Sequence, residues 1–211
     1  MKKLAIIGAG DLGQQLSHLA QQTGVYLPVG YYDDFAQAGQ LVHSLPVMGK
    51  LSQIIADFSA QKFDALVMGI GYAHFDFRKK TFESLHQYIP FASLIHPSCF
   101  IDPSAKIGAG AVLYSGCIVS MNAEIKENVL MYDGSIIAHD SVVGKHSILS
   151  PGAKISGFSN IGECVNLGTG TILIDHIQIA DHTRTGAGAV VVKNIDQPGL
   201  YLGCPAKLYK P

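Results

Sequence analysis

Residues 149–173 decide the fold, and they read LSPGAKISGFSNIGECVNLGTGTIL. A large aliphatic residue returns at every sixth position of this stretch. Counted in steps of six from residue 95 to residue 191, the series has 17 members, and 16 of them are aliphatic, with Thr185 as the exception. So long an ungapped period is the signature of a repeat architecture, in which each unit packs on its neighbours.

The rest of each six-residue unit, or hexad, supports the same interpretation. With the large residue as position one, the fifth position is Ala, Ser, Cys, Thr or Val in 15 of the 17 hexads. Glycine often occupies the second or fourth position, where a turn between two faces needs a positive φ. Each hexad therefore offers one large and one small inward group, and stacked coils bury a continuous core.

Residues 1–92 follow another pattern, in which short apolar runs alternate with helical stripes. The pattern predicts strands at 4–7 and 65–68, and a further strand that ends near 31–34. It predicts helices at 11–24, near 51–60 and around 75–87. This order, βαβαβα with parallel strands, is that of a half-Rossmann α/β unit.

The first strand runs into a glycine loop of the GxGxxG type, which opens a helix and contains Gly8, Gly10, Asp11, Leu12 and Gly13. Asp33 and Asp34 follow about 20 residues further on and can accept hydrogen bonds from a ribose or a base. Backbone N–H groups at a helix N-terminus can hold phosphate. A dinucleotide site, another nucleotide site and a structural use as tight turns all fit these residues.

Composition limits the classes of partner. The formal net charge is −1, charged residues make up 15%, and Lys and Arg are scattered, which argues against nucleic acid and anionic membranes as main partners. No apolar run is long enough to cross a bilayer. Four cysteines without a CxxC motif are typical of free thiols in a reducing, cytoplasmic compartment. A chain so poor in charge and rich in glycine is expected to bury surface between subunits.

His139 and Asp140 form the candidate catalytic pair. They occupy the third and fourth positions of their hexad, where side chains point out of the coil. A neighbouring carboxylate can fix the tautomer of an imidazole and make it a better general base. The alternative is a solvent-exposed histidine that lies beside an aspartate and has no function.

Two segments carry a resemblance to a known family: Ile137-Ala-His-Asp-Ser-Val-Val-Gly and Ser150-Pro-Gly-Ala-Lys-Ile-Ser-Gly. They resemble the catalytic stretch of the left-handed β-helix (hexapeptide-repeat) nucleotide-sugar N-acetyltransferases, and are similar to the sialic acid O-acetyltransferases of that subgroup. The resemblance implies three hexads per coil, so that residues 18 apart stack and 17 hexads make about six coils. It also implies a homotrimer with active sites between subunits.

The order of segments resembles that family as well. It implies a nucleotide-sugar-binding βαβ domain at 1–92, a left-handed β-helix acetyltransferase domain at 93–197, and a closing loop at 198–211. The family's activity implies a place in polysaccharide or lipopolysaccharide biosynthesis.

The resemblance also assigns roles to residues. His139 becomes the base that takes a proton from the sugar amine, Asp140 raises its basicity, and the N–H of Gly157, one coil further on, becomes the oxyanion donor. Many relatives carry a second histidine where this chain has Ile148. Contacts to acetyl-CoA map to Ile148, Gly157, Thr169 and Ala187, and contacts to the nucleotide map to Gly8, Gly10, Asp11, Leu12, Asp33, Asp34 and Gly71.

A second column, His146, Cys164 and His182, raises a zinc hypothesis, because γ-class carbonic anhydrases bind zinc through histidines of a β-helix. The two histidines would be ~9.6 Å apart in one chain, which is twice the strand spacing. They cannot share an ion without a neighbouring subunit, so no metal is expected.

The sequence therefore predicts an acetyl-CoA-dependent N-acetyltransferase. Its substrate would be the amino group, at C4, of a nucleotide-linked amino-deoxy sugar, which attacks the thioester directly without a covalent enzyme intermediate. Alternatives are O-acetylation of a sugar such as sialic acid, an NAD- or nucleotide-sensing non-catalytic module on a structural β-helix, and a zinc hydratase. A sugar nucleotidyltransferase is disfavoured, because the first domain lacks a basic glycine-rich activation loop.

Overall fold

The chain divides into two compact units, Met1–Leu94 and a second unit that begins at Ile95. The structure is a computed structural model, and it describes residues 1–210. Among these residues, no helix has both the length and the apolar character that crossing a membrane requires.

The first unit is a small α/β fold. Its strands are β1 (Lys2–Ile7), β2 (Tyr26–Tyr32), β3 (Leu41–Val42), β4 (Leu45–Gly49) and β5 (Ala65–Met68), and its helices are α1 (Asp11–Gln22), α2 (Ile54–Ser59) and α3 (Phe75–His86). The sheet order is β3-β4-β2-β1-β5, and β4, β2, β1 and β5 run parallel. The predicted helices and the strands at 4–7 and 65–68 are present at these positions.

The hairpin of β3 and β4 is the part of this unit that the sequence pattern missed. The two strands pair antiparallel at the edge of an otherwise parallel sheet, through Leu41 with Pro46 and Val42 with Leu45. Their two-residue turn consists of His43 and Ser44, with φ of 48° and 69°. Such a turn usually carries Asn-Gly or Asp-Gly, so the common sequence signal of a hairpin is absent.

The glycine loop has a structural role at the start of α1. A Cβ on Gly13 would lie 2.1 Å from the carbonyl oxygen of Gly8, so only glycine lets the helix pack this closely against the loop. The apolar stripe of α1, with Leu16, Leu19 and Ala20 fully buried, holds the helix on the sheet.

The second unit is a three-sided parallel β-helix built from 17 two-residue strands that recur every six residues. They are β6 (Leu94–Ile95), β7 (Phe100–Ile101), β8 (Lys106–Ile107), β9 (Val112–Leu113), β10 (Ile118–Val119), β11 (Glu124–Ile125), β12 (Leu130–Met131), β13 (Ile136–Ile137), β14 (Val142–Val143), β15 (Ile148–Leu149), β16 (Lys154–Ile155), β17 (Asn160–Ile161), β18 (Asn166–Leu167), β19 (Ile172–Leu173), β20 (Gln178–Ile179), β21 (Arg184–Thr185) and β22 (Val190–Val191).

These strands form three faces. Face 1 has the order β22-β19-β16-β13-β10-β7, face 2 the order β20-β17-β14-β11-β8, and face 3 contains β21-β18-β15-β12-β9-β6. Each strand pairs with the strand three places later, as in Ile118 with Ile136 and Ile136 with Lys154. Residues 18 apart therefore stack, as three hexads per coil require.

The core follows the hexad pattern. Large first-position and small fifth-position residues fill the interior in alternation, for example Ile137, Val143 and Leu149 beside Ser135, Ser141 and Ser147, all of them fully buried. The buried serine hydroxyls donate to carbonyl groups of the neighbouring hexad, as Ser147 Oγ does to Gly162 O at 2.9 Å. The four cysteines are free thiols, and Cys117 is one of the small core groups.

Every corner between faces turns at the fourth hexad position. From residue 110 to residue 188, each fourth-position residue has a positive φ between 55° and 70°. Six of these 14 residues are glycine and the others carry side chains, which include Asp140, Phe158 and His176. The left-handed conformation costs roughly 1–2 kcal/mol for a residue with a side chain, unless that residue is Asn or Asp. Phe158 and His176 therefore occupy strained positions.

The C-terminal segment is a hairpin rather than the expected closing loop. Strands β23 (Leu200–Leu202) and β24 (Lys207–Leu208) pair antiparallel, and β23 adds in parallel to β21 on face 3. Tyr201 is 8% exposed and belongs to the core cluster, so this hairpin covers the end of the apolar interior.

Candidate functional site

The first unit contains a cavity of about 570 Å³ at the carboxyl ends of its parallel strands, which is where open α/β sheets bind ligands. Five of the residues predicted to contact a nucleotide line it: Gly8, Gly10, Asp33, Asp34 and Gly71. The lining also contains residues that the sequence did not single out, namely Tyr32, Phe35, Leu51, Ile70, His74 and Phe77. Phe35 is 98% exposed, which gives the rim an aromatic surface.

Asp33 holds the glycine loop by its carboxylate. One oxygen accepts a hydrogen bond from the backbone N–H of Ala9 at 2.9 Å, and the other accepts from Phe35 and Ala36 at 2.8 and 3.0 Å. Partial burial alone would raise the pKa of Asp33, but these three donors and the charge of Lys50 together lower it. Asp33 is therefore ionised at neutral pH and joins the two loops that border the cavity.

Asp34 and Lys50 form the other side of this rim. The Asp34 carboxylate accepts from the N–H of Leu51 at 2.9 Å, and the Lys50 ammonium donates to the carbonyl oxygens of Asp34 and Ala36. Asp34 is exposed, and its second carboxylate oxygen faces no other donor among residues 1–210.

Asp11 and Leu12 are not part of the cavity lining, contrary to the expectation that they contact the nucleotide. Asp11 is the exposed first residue of α1, directly after the N-cap Gly10. Its carboxylate competes with any phosphate for the partial positive charge of the helix N-terminus. Leu12 packs near Gly71, where a Cβ would lie 4.0 Å from it.

Arg78 supports the floor of the cavity from beneath. Its fully buried guanidinium donates to the carbonyl oxygens of Met68 at 3.2 Å and Ile70 at 2.7 Å. These bonds fix the loop that follows β5 and ends at Gly71. No sequence pattern indicated this role, because an arginine on a helix is usually exposed.

The second candidate site lies at the corner between faces 1 and 2, which we call the His139 corner. His139 Nδ1 and Asp140 Oδ2 are 2.9 Å apart, and the two side chains are 49% and 31% exposed. With Nδ1 directed to the carboxylate, Nε2 is the ring nitrogen left for a substrate proton. Hydrogen bonds from Asn122, in the first place, and from His139 lower the pKa of Asp140 and keep it ionised.

Gly157 lies against the ring of His139. A Cβ on Gly157 would be 2.8 Å from His139 Cε1 and 2.9 Å from Nε2, so the ring occupies the space that a side chain would fill. No acceptor for the Gly157 N–H is found among residues 1–210, as an oxyanion donor requires. Gly157 itself is buried.

Two residues of the His139 corner were missed by the sequence analysis. Phe158 meets His139 edge to face, with ring centroids 5.1 Å apart, and stacks on His176 at 4.9 Å. Asn122 Nδ2 donates to Asp140 Oδ1 at 3.0 Å. Steps of 18 in both directions from Asp140 lead to Asn122 and Phe158, so the periodicity already contained the signal.

The residues expected to bind acetyl-CoA lie elsewhere on the β-helix. Thr169 and Ala187 are exposed and stacked, since Gly188 N–H donates to Thr169 O at 2.8 Å. They lie at the corner between faces 3 and 1, which we call the Thr169 corner, so face 1 separates them from His139 within one chain. Five of the six fourth-position residues of the Thr169 corner are glycine, with Ser98 as the exception, which leaves a smooth edge: Gly116, Gly134, Gly152, Gly170 and Gly188.

Ile148 belongs neither to the His139 corner nor to the Thr169 corner. It lies in β15 on face 3 and is 1% exposed. A buried side chain cannot line an open groove, so the expectation that Ile148 contacts acetyl-CoA is not supported by this arrangement.

The column of His146, Cys164 and His182 lies at the third corner, between faces 2 and 3, which we call the His146 corner. His146 and Cys164 are each 1% exposed, whereas His182 is exposed. His146 Nδ1 lies 3.0 Å from the amide of Asn128, one coil below.

Comparison with known proteins finds one likeness in the first unit and others over the whole chain. Residues 3–85 match the family described as PglD N-terminal domain. The acetyltransferase domain of PglB from Neisseria gonorrhoeae is 29% identical, with 99% of this chain and 100% of that chain covered and a TM-score of 0.90. The chain has the left-handed β-helix fold of this acetyltransferase domain and is similar to it over its whole length. No curated protein matches it in sequence.

Two other solved structures share the fold of this chain over its whole length. PerB from Caulobacter crescentus, in complex with CoA and GDP-perosamine, is 24% identical, with 100% of this chain and 98% of that chain covered and a TM-score of 0.90. WeeI from Acinetobacter baumannii is 23% identical, with 99% and 100% covered and a TM-score of 0.84. At these identities the likeness concerns the fold.

Proposed function

We propose that the protein transfers the acetyl group of acetyl-CoA to the amino group, at C4, of a nucleotide-linked amino-deoxy sugar. The observation that carries this proposal is the exposed His139–Asp140 pair, with Nδ1 at 2.9 Å from the carboxylate and Nε2 left for a substrate. The acetyltransferase domain of PglB, which resembles this chain over its full length, has been solved in complex with acetyl coenzyme A.

In this proposal the cavity of the first unit binds the nucleotide. Its volume, about 570 Å³, is within the range of small-molecule sites. The exposed ring of Phe35 offers a stacking surface for a base, and the carboxylates of Asp33 and Asp34 can accept hydrogen bonds from the base or ribose. The glycine loop at Gly8 and Gly10 presents bare backbone to phosphate.

The chemical step needs one base and one oxyanion donor. The neutral amine attacks the thioester carbonyl carbon, a C–N bond forms, and the nitrogen gives a proton to Nε2 of His139. The tetrahedral intermediate then collapses and the C–S bond breaks. His139 returns the proton to the CoA sulfur, which leaves as the free thiol. Asp140 stabilises the imidazolium between these two transfers.

Gly157 and the Thr169 corner complete the proposed site. The N–H of Gly157, which has no acceptor among the described residues, is the donor for the developing oxyanion. The glycine-lined Thr169 corner, with Thr169 and Ala187 at its third positions, provides a smooth groove for the extended pantetheine arm of acetyl-CoA.

A homotrimer is part of this proposal, because His139 and the Thr169 corner lie at opposite edges of face 1. A neighbouring subunit would bring one corner of each type together. The described β-helix also exposes its large apolar side chains mainly on face 1 and the His139 corner: Phe100, Met121, Phe158, Ile172, Ile174 and Val192. An apolar surface of this kind is typical of an interface between subunits.

The test is an acetyl-CoA assay over a panel of UDP-, GDP- and dTDP-linked amino sugars, with free thiol release as the readout. Mass spectrometry of the product and its stability to mild base separate an amide from an ester. Transfer to at least one amino sugar, with a base-stable product, supports the proposal. Thiol release that is the same with and without every sugar, or a product that mild base hydrolyses, contradicts N-acetylation.

A further inference from the structure

Asn122 lies one coil below the His139–Asp140 pair, at the same fourth hexad position as Asp140. Its side-chain amide donates to Asp140 Oδ1 at 3.0 Å, while the other carboxylate oxygen, Oδ2, meets His139 Nδ1 at 2.9 Å. The two oxygens of one carboxylate thus have different partners. An amide donor on Oδ1 restricts rotation of the carboxylate, so that Oδ2 remains directed at the imidazole.

Asn122 is itself held in place from below. Its backbone N–H donates to Ser104 Oγ at 2.9 Å, and Ser104 Oγ donates to Asp102 Oδ1 at 2.6 Å. The bonds form a ladder along the His139 corner, which rises from Asp102 through Ser104, Asn122 and Asp140 to His139. Two of the steps, from Ser104 to Asn122 and from Asn122 to Asp140, each span one coil, so the ladder uses the stacking of residues 18 apart.

The conformation of Asn122 suits this function. Its φ is 57°, and asparagine tolerates the left-handed region far better than most residues with side chains. Among the fourth-position residues of the His139 corner from Ser104 to His176, Asn122 is the one whose side chain carries N–H donors and no ionisable group. A neutral donor stabilises the ionised carboxylate without competing with His139 for a charge.

We infer that Asn122 is a positioning residue that orients Asp140 and thereby keeps His139 in the tautomer with the proton on Nδ1. This inference rests on the proposed function, in which Nε2 of His139 takes the proton of the attacking amine. Asn122 touches neither the ring nor the reacting atoms, so its effect passes through the carboxylate alone.

Two substitutions separate this function from a structural one. Asn122→Gly removes the amide and keeps a residue that accepts the positive φ without strain. Asn122→Asp keeps the size and the conformational preference but replaces the donor by a second carboxylate, which repels Asp140. Asn160→Ala, an exposed asparagine on face 2, is the matched control.

Steady-state kinetics and ¹⁵N NMR of histidine-labelled protein are the measurements. We expect Asn122→Gly to lower kcat on the order of tenfold, a part of the 10²–10⁴ that a general base contributes, with KM unchanged. Asn122→Asp should lower kcat further. In both variants the share of the Nδ1–H tautomer of His139 should fall, whereas Asn160→Ala should change neither quantity.

The outcomes are distinguishable from failure of the proposed function. If His139→Asn retains its activity, the assignment of the base is wrong, whatever Asn122 does. If His139→Asn is inactive while Asn122→Gly keeps both kcat and the tautomer distribution of the wild type, the inference about Asn122 is wrong. A lower melting temperature with an unchanged tautomer and kcat would mean that Asn122 has a structural role only.

Discussion

The His139 corner and the His146 corner are built by the same rule and present their histidines in opposite ways. His139 stands at a third hexad position, is half exposed and faces a carboxylate at 2.9 Å. His146 stands at a fourth position with a φ of 62° and is 1% exposed. Its Nδ1 lies 3.0 Å from the amide of Asn128, and its Nε2 lies 3.9 Å from Glu163 Oε1. One position along the hexad thus separates an accessible imidazole from a buried one.

The difference teaches what identifies a catalytic residue in a repeat. Stacking at steps of 18 occurs at both corners, so it does not indicate which of the two histidines is catalytic. The accessible ring with an ionised partner can exchange a proton with a substrate, whereas a buried ring beside an amide can hold a structure together. Substitutions at the two corners should therefore differ in their effects on kcat and on the free energy of unfolding.

Replacing His139 and His146 in turn should show the largest difference between the two corners. His139→Asn should lower kcat by about 10²–10⁴, because the proton acceptor is lost. His146→Asn should leave kcat within about twofold of the wild type but lower the free energy of unfolding by roughly 1–3 kcal/mol, the usual cost of disturbing a buried polar group. Thiol-release kinetics and urea unfolding measure the two quantities. Equal loss of kcat in both variants would remove the distinction between the corners.

Gly157→Ala tests whether the position of the His139 ring matters. The added Cβ would lie 2.8 Å from the ring, so the ring must move, whereas the backbone of Gly157 is not in the left-handed region. Displacement of a catalytic group by about 1 Å can cost up to about 10²-fold, so kcat should fall on the order of tenfold or more. The melting temperature serves as the control. A variant with wild-type kcat would show that the ring functions in another orientation.

Phe158→Gly should have opposing effects on stability. It relieves a left-handed conformation that costs roughly 1–2 kcal/mol for a bulky residue. It also removes two aromatic contacts, each worth about 0.5–1.5 kcal/mol. The net change in the free energy of unfolding should therefore lie between a gain of about 1 kcal/mol and a loss of about 2 kcal/mol, while kcat falls by less than in Gly157→Ala. Urea unfolding that shows a large loss of stability would mean that Phe158 is chiefly a packing residue.

The His139 corner should contribute a small part of the acid dependence of stability, since the Asp140 side chain is partly exposed to solvent. The pKa of Asp140 is lower in the folded chain than its ordinary value of 3.8. The ionised form therefore stabilises the fold above pH 3.8, and this contribution disappears as the pH falls through the lower folded-state value. The difference in unfolding free energy between the wild type and Asp140→Asn should be largest near neutral pH and vanish under strong acid. A difference that grows on acidification would contradict the sign of the shift.

The sequence predicted the regular part of the molecule well. A period of six residues determines where each strand of the β-helix lies, because every hexad must place one large and one small group inside. The same period, with three hexads per coil, places Gly157 over His139. Both statements depend only on local packing that repeats along the chain.

What the sequence did not reveal depends on contacts that do not repeat. The hairpin at Leu41–Val42 lacks the usual turn residues, and Arg78 reaches carbonyl groups that lie eight and ten positions away in sequence. Asp11 matches the glycine-loop motif but is not among the residues that line the cavity. Ile148 occupies an outward hexad position and is nevertheless buried, which no pattern within the hexad indicates.

The unbroken register of the fourth-position turns makes the β-helix resemble a screw thread. Height along the axis and the direction of a side chain are coupled, so that adding 18 residues raises everything beyond by about 4.8 Å and restores every direction. Adding six residues rotates all later side chains by one face, and adding a single residue exchanges inward for outward positions. Insertions of 18 residues therefore keep the direction of every later side chain. The height of a later residue above His139 along the axis is set by the number of coils between them.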